Sequence, residues 1–143
     1  MPFEYRGDIA QADIAFNAWA DGLEELFKEA ARATMQVMVQ DLTAVRHIEA
    51  IELKLDQDNA EMLLFDFLNE LIFYKDARRL ILLPSQLTID KLGENWRLQA
   101  TLHGEEIDAA RHRLNTDVKA VTLLRFSLSR VHEKWRATVV LDV

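Results

Sequence analysis

Three residues far apart in the chain, Asp13, Lys119 and Asp142, carry the groups that could act together on a cation or a phosphate. Asp13 precedes an apolar alternating run (DIAFNAW) and Asp142 closes another (VVLDV), so pairing of the two strands would bring both carboxylates to one rim. Two carboxylates, a backbone carbonyl and the terminal carboxylate of Val143 make an oxygen-rich set suited to a hard divalent cation. Asp13 has a second reading, as turn chemistry just before a strand. Lys119 lies within TDVKAVTLL, where Val118, Ala120, Thr122 and Leu124 share one strand face and Lys119 joins Val121 and Leu123 on the other. That second face is also largely apolar. A lysine there either snorkels to water at a strand edge or pairs with a buried carboxylate, Asp13 or Asp142, because an unpaired buried charge is costly.

Other chemistries have little support. Without cysteine there is no disulfide, zinc-thiolate site or thiol nucleophile. No G-x-x-x-x-G-K-[ST] loop, G-x-G-x-x-G fingerprint, G-x-S-x-G elbow or H-E-x-x-H helix occurs. His47, His103, His112 and His132 have no metal-ligand spacing, and most of them read as surface residues. A net charge of -7 opposes sequence-independent binding to nucleic acid, so direct binding is not expected. The acidity either keeps the protein soluble or suits a basic partner or a divalent cation. Arg111, Arg113, Arg125 and Arg130 are read as a solvated face, with a local basic patch as the alternative.

These groups need a scaffold. With 143 residues, half of them apolar, 4 Gly and 2 Pro, the chain is expected to form one domain over residues 1–143. The start, MPFEYRGD, does not read as a leader, and no stretch approaches 18 uninterrupted apolar residues, so a soluble cytoplasmic protein without membrane association is expected. Residues 6–11 are polar, and residues 13–19 read as a short strand. Residues 22–40 carry Leu23, Leu26, Phe27, Ala30, Thr34, Val37 and Met38 at helical spacing, with Asp21 as the expected N-cap. Ile51, Leu53 and Leu55 alternate as a strand with one wet face. Residues 58–74 read as a second helix on Leu64, Phe67, Leu68, Leu71 and Ile72, widened by Leu63, Phe65 and Phe73, with Asp58 or Asn59 as cap and Glu61 and Glu70 outward. Strands are expected over 80–83, 87–92, 96–103, 118–129 and 135–141, with a tight turn at Gly93-Glu94-Asn95. Residues 104–117 are polar and irregular, and no internal repeat is evident. Two helices and six or seven strands indicate an α+β fold in which two main helices cover a largely antiparallel or mixed β-sheet.

Several segments together resemble the archease family along nearly the whole chain. They are LLFDFLNELIFYKD (63–76), similar to the family's W-L-N-E-L-L-type helix, then ADIAFNAWADGLEELFKEAA (12–31), TDVKAVT (116–122) and the final VVLDV. The resemblance implies an archease-like α+β fold with a metal-binding rim. It also implies an accessory protein, not an enzyme, that promotes guanylylation of an RNA ligase in tRNA splicing and RNA repair. The matching positions are Asp13 for the strand-start aspartate, Lys119 for the lysine of K-A-V-T, and Asp142 for the penultimate aspartate, with Val143 adding an oxygen. The implied cofactor is a divalent metal ion (calcium, manganese or magnesium), with GTP entering only through the partner ligase. Two departures stand out: Ile9-Ala10-Gln11-Ala12-Asp13 replaces D-H-T-A-D, and Leu123-Leu124 replaces an aromatic-His pair.

Three functions follow as expectations. The leading one is the RNA ligase activator, with Asp13 and Asp142 holding the cation and Lys119 orienting a carboxylate or contacting nucleotide phosphates. The alternative partner is a tRNA-modifying enzyme such as a methyltransferase, which the protein would serve as a chaperone. A metal-dependent hydrolase could use the same carboxylates, but no general base is evident.

Overall fold

The computed structural model describes residues 2–7 and 13–143. Among the described residues, seven strands form two antiparallel sheets. The first contains β1 (Phe3–Arg6), β2 (Asp13–Ala20), β6 (Ala120–Val131) and β7 (Lys134–Asp142), in the order β1-β2-β7-β6. The second contains β3 (Glu49–Gln57), β4 (Leu80–Leu92) and β5 (Asn95–Glu106), in the order β3-β5-β4. Two long helices, α1 (Leu23–Met38) and α2 (Ala60–Arg78), and a single turn, α3 (Ala109–His112), complete the α+β fold. No described helix is long and apolar enough to cross a membrane.

Periodicity locates the two long helices correctly. Leu26, Phe27 and Ala30 of α1 and Leu63, Leu64, Phe67, Leu68 and Leu71 of α2 are wholly buried, and Phe27 stacks on Phe67 with ring centroids 5.7 Å apart. The capping differs between the two. Asn59 Oδ1 accepts the Met62 N–H at 2.7 Å, whereas α1 begins at Gly22, not Asp21, with no side-chain cap. Phe73 does not widen the buried stripe, for it is 57% exposed.

The strands hold more surprises. The short β1 was not foreseen, and it is tied to α1 by the Tyr5 hydroxyl, which donates to the Ala33 carbonyl at 2.8 Å. The runs at 80–83 and 87–92 are one strand with a bulge between Pro84 and Gln86. Gly104 permits close packing inside β5, since a Cβ there would lie 1.7 Å from the Ile81 carbonyl oxygen. The stretch 104–117 ends β5 and then forms α3.

The topology contains a repeat that the sequence conceals. β2-α1-β6-β7 and β3-α2-β4-β5 are each a strand, a helix and a hairpin whose second strand lies in the middle, and the second unit is inserted into the first. Each helix closes an edge of the other unit's sheet. Glu24 of α1 accepts the Ile89 N–H of edge strand β4 at 2.8 Å. Glu61 and Asn69 of α2 accept the Leu128 and Val121 N–H groups of edge strand β6 at 3.2 and 3.1 Å. Glu61 therefore does not point idly outward; it occupies a strand edge that would otherwise be open to another chain.

Candidate functional site

The rim is built by the β2–β7 ladder. Its register places Asp13 directly opposite Asp142, with Ile14 opposite Leu141 and Phe16 opposite Val139. Residues paired in this way project to the same face. Phe16, Val139 and Leu141 face the core and are fully buried, so the alternation sends Asp13 and Asp142 to the opposite face, where both are half-buried. On its other side Asp142 pairs with Ala120, and its carbonyl accepts the Lys119 N–H at 2.8 Å. Val143 is half-buried and packs on the core, which keeps its main-chain oxygens beside Asp142. Asp13, Lys119, Asp142 and Val143 thus meet at one end of the first sheet.

Lys119 differs from its expected setting. β6 starts one residue later, at Ala120, and Lys119 is exposed between the fully buried Val118 and the half-buried Ala120. Neither Asp13 nor Asp142 forms an ion pair with it among the described residues. The strand faces also break down further on. Between Thr122 and Ser127 the register shifts and Arg125 takes φ 51°, which leaves Leu123 and Leu124 62% and 51% exposed. Ile9 and Ala10, the other departures from the archease pattern, lie outside the described residues.

The buried lysine is Lys75, which sequence reasoning passed over. Its side chain is 6% exposed at the last turn of α2, and Nζ donates to Asp117 Oδ1 at 2.7 Å, to the Val118 carbonyl at 2.8 Å and to Asp76 Oδ1. All three ammonium protons are therefore used. Burial pulls the Lys75 pKa down, but the hydrogen bonds it donates to Asp117 and Asp76 outweigh it and leave the pKa raised. The segment is held from α1 as well, because the Asn115 and Thr116 N–H groups donate to the Met38 and Val37 carbonyls at 2.8 and 3.1 Å. Both anchors fix residues 115–118, the approach to Lys119. A hollow of about 330 Å³ lined by Lys75, Arg79, Ile81, Leu114 and Asp117 opens beside them.

A second ionic cluster closes the end of β5. Glu105 is 4% exposed and meets Arg111, the Arg46 N–H at 2.6 Å and His112 Nε2 at 3.2 Å. His112 is fully buried, and its Nδ1 accepts the Asp108 N–H at 2.9 Å, which assigns the proton to Nε2. It is the exception among histidines that were expected mostly at the surface. The Arg111 guanidinium, aided by the Arg46 N–H and His112 and opposed by burial, holds the Glu105 carboxyl well below the usual carboxylate range. Arg111 therefore belongs to an internal ion pair and not to a basic surface patch.

Comparison with known proteins accounts for this arrangement. The archease protein family matches residues 3–143. The chain belongs to the archease family. Protein archease of Methanopyrus kandleri is 33% identical over 132 residues, covering 92% of this chain and 94% of that one. Protein archease of Pyrococcus abyssi is 30% identical over 133 residues, with 92% and 93% covered. Among solved structures, protein 1598 of Methanobacterium thermoautotrophicum superposes with TM-score 0.85 at 30% identity over 99% of both chains. An archease of Thermotoga maritima, described as a possible chaperone, shares the fold with TM-score 0.63 at 19% identity over 96% of both chains. The archease α+β fold is thereby established for this chain, and its first sheet carries the rim.

Among the described residues the rim offers oxygen donors and no ion-paired cation, the type of donor that a hard divalent metal takes. Asp13, Asp142 and Val143 would hold it. Among the described residues no three or more His, Cys, Asp and Glu side chains form a metal cluster.

Proposed function

We propose that this archease-family protein is an accessory factor that presents a divalent cation to the guanylylation site of an RNA ligase, and so sustains multiple turnover in tRNA splicing and RNA repair. The observation that carries the reading is the direct opposition of Asp13 and Asp142 beside the Lys119–Asp142 backbone bond. Two like charges fixed face to face are unfavourable by themselves and become favourable around a cation. When bound, such a cation neutralises phosphate charge and polarises phosphoryl oxygens. The chain's own part is to hold the carboxylates in register and to extend the exposed Lys119 ammonium toward nucleotide phosphates. The protein assists the reaction and the ligase performs it.

The test combines the protein with a cognate ligase, GTP and Mn²⁺. Multiple-turnover ligation should rise above that of the ligase alone, and Asp142→Asn should remove the gain. No gain with the unaltered protein would end this reading. A second reading is a chaperone of a tRNA-modifying enzyme such as a methyltransferase; the Thermotoga maritima protein of the same fold is described as a possible chaperone, with no client named. A pulldown recovering a methyltransferase and no ligase would select it.

A further inference from the structure

The net charge of the chain hides an uneven distribution. On the face of the first sheet turned away from the helices, the β6–β7 register sets Ser127 opposite Thr138, Ser129 opposite Arg136 and Val131 opposite Lys134. The β2–β7 register adds Trp19 opposite Arg136 and Asn17 opposite Thr138. Two adjoining hollows share this surface. One, of about 390 Å³, is lined by Trp19, Val131, His132, Lys134 and Arg136. The other, of about 330 Å³, includes Arg6, Asn17, Ser127, Ser129, Arg136 and Thr138. Among the described residues, neither hollow has an acidic residue in its lining. Glu4 lies at the β1 edge of the face, and Asp13 and Asp142 lie at its far end.

The three tryptophans are not equivalent. Trp96 has Lys91 Nζ 5.3 Å from its ring centroid and Trp135 has the Arg130 guanidinium at 5.8 Å. Trp19 has no cation over its ring among the described residues, and it borders the larger of the two hollows. Among the described residues the Lys134 ammonium has a single ion-pair partner, the exposed Asp21 at 3.8 Å. Arg136 is exposed and has no ion pair among the described residues. Thr138 Oγ1 donates to Asn17 Oδ1 at 2.9 Å, so the Asn17 amide nitrogen is left as a donor.

We propose that this face binds an extended single-stranded nucleic acid, with a base against Trp19, phosphates on Lys134 and Arg136, and polar base or sugar edges on Asn17, Ser127 and Ser129. Lys134, Arg136 and Thr138 alternate along β7 at a spacing of about 6.8 Å, close to the repeat of an extended single strand. An aromatic ring flanked by cations on an open antiparallel sheet is the arrangement that stacks bases and follows a backbone without reading sequence. An acidic peptide would use the cations but would leave the indole idle. The proposal does not depend on the rim or on its metal, so either can fail without the other.

The full-length protein would be titrated with a ten-residue oligouridylate at low salt, reading Trp fluorescence and the anisotropy of a labelled strand. The expected result is saturable binding with quenching that disappears in Trp19→Phe. Lys134→Glu combined with Arg136→Glu should weaken binding by roughly tenfold or more and reduce the slope of log K against log salt from about −1.4 toward zero. Arg113→Glu, outside this face, should change little. Oligothymidylate should bind within severalfold, because stacking and phosphate contacts do not need the 2′-hydroxyl. Circular dichroism confirms that each variant is folded, and Arg136→Gln provides a milder test of the same site. The proposal is overturned if a duplex of the same length or an oligoglutamate binds as tightly as the single strand, if quenching survives in Trp19→Phe, or if no binding occurs.

Discussion

Asp13 and Asp142 face each other across the β2–β7 ladder as a like-charged cross-strand pair. Such an arrangement costs stability unless something positive lies between the carboxylates. Asp13→Asn or Asp142→Asn should therefore stabilise the metal-free protein, by about 0.2–1 kcal/mol. The same variants should lose the rise in melting temperature that Mn²⁺ or Ca²⁺ gives the unaltered protein. Thermal melts with EDTA and with added metal check both signs, and a metal-induced rise that persists in both variants would place the cation elsewhere.

Lys75 joins α2 to the approach to Lys119. Lys75→Met should cost about 1–3 kcal/mol, since the Val118 carbonyl loses a buried donor while Asp76 and Asp117 stay hydrated. Because its pKa is raised, its contribution is complete below the ordinary lysine value of about 10.4 and fades as pH climbs through the higher folded value. Urea midpoints measured on the alkaline side should fall more steeply for the unaltered protein than for Lys75→Met.

Glu105 gives the opposite dependence. Its depressed pKa means that its stabilisation is present above the ordinary glutamate value of about 4.3 and is lost as pH falls toward the folded value. Glu105→Gln should be less stable at neutral pH by about 1.5–3 kcal/mol and should show a shallower acid transition. A midpoint profile from neutral to acid pH for the two proteins reads this directly.

Edge protection makes a prediction about association. Glu61→Ala removes the acceptor for the Leu128 N–H, and Glu24→Ala the acceptor for the Ile89 N–H. Each should cost about 1–2 kcal/mol. Their combination should raise the propensity to dimerise or aggregate through β6 and β4. Light scattering near the melting temperature, compared with Glu70→Ala as a control, distinguishes this from simple destabilisation.

The helices were legible because Leu, Phe and Ala recur at one face over many turns, a signal that local exceptions such as Phe73 do not erase. The placing of Asp13 and Asp142 at one rim was legible in the apolar runs that they border, and the register of β2 with β7 brings them together. Other features had no local signal. A lysine in the last turn of a helix ordinarily reads as dipole compensation, so the burial of Lys75 follows only from where residues 115–118 pass. The burial of His112 likewise requires Glu105 and Asp108 to be brought around it by α3. The bulge at 122–127 reverses the face pattern that alternation gives to Leu123, and β1 is too short for its period to register.

The insertion of one unit within the other also orders the molecule in time. During synthesis α1 emerges before the β4 edge that it caps, whereas β2 must wait through α1, the inserted unit and β6 before it acquires its inner neighbour β7. The inserted sheet can be complete, with its edge covered, while the outer sheet still lacks both strands of its closing hairpin. The rim is therefore absent from every nascent chain that has not yet reached β7, and its carboxylates meet only once that strand has been made.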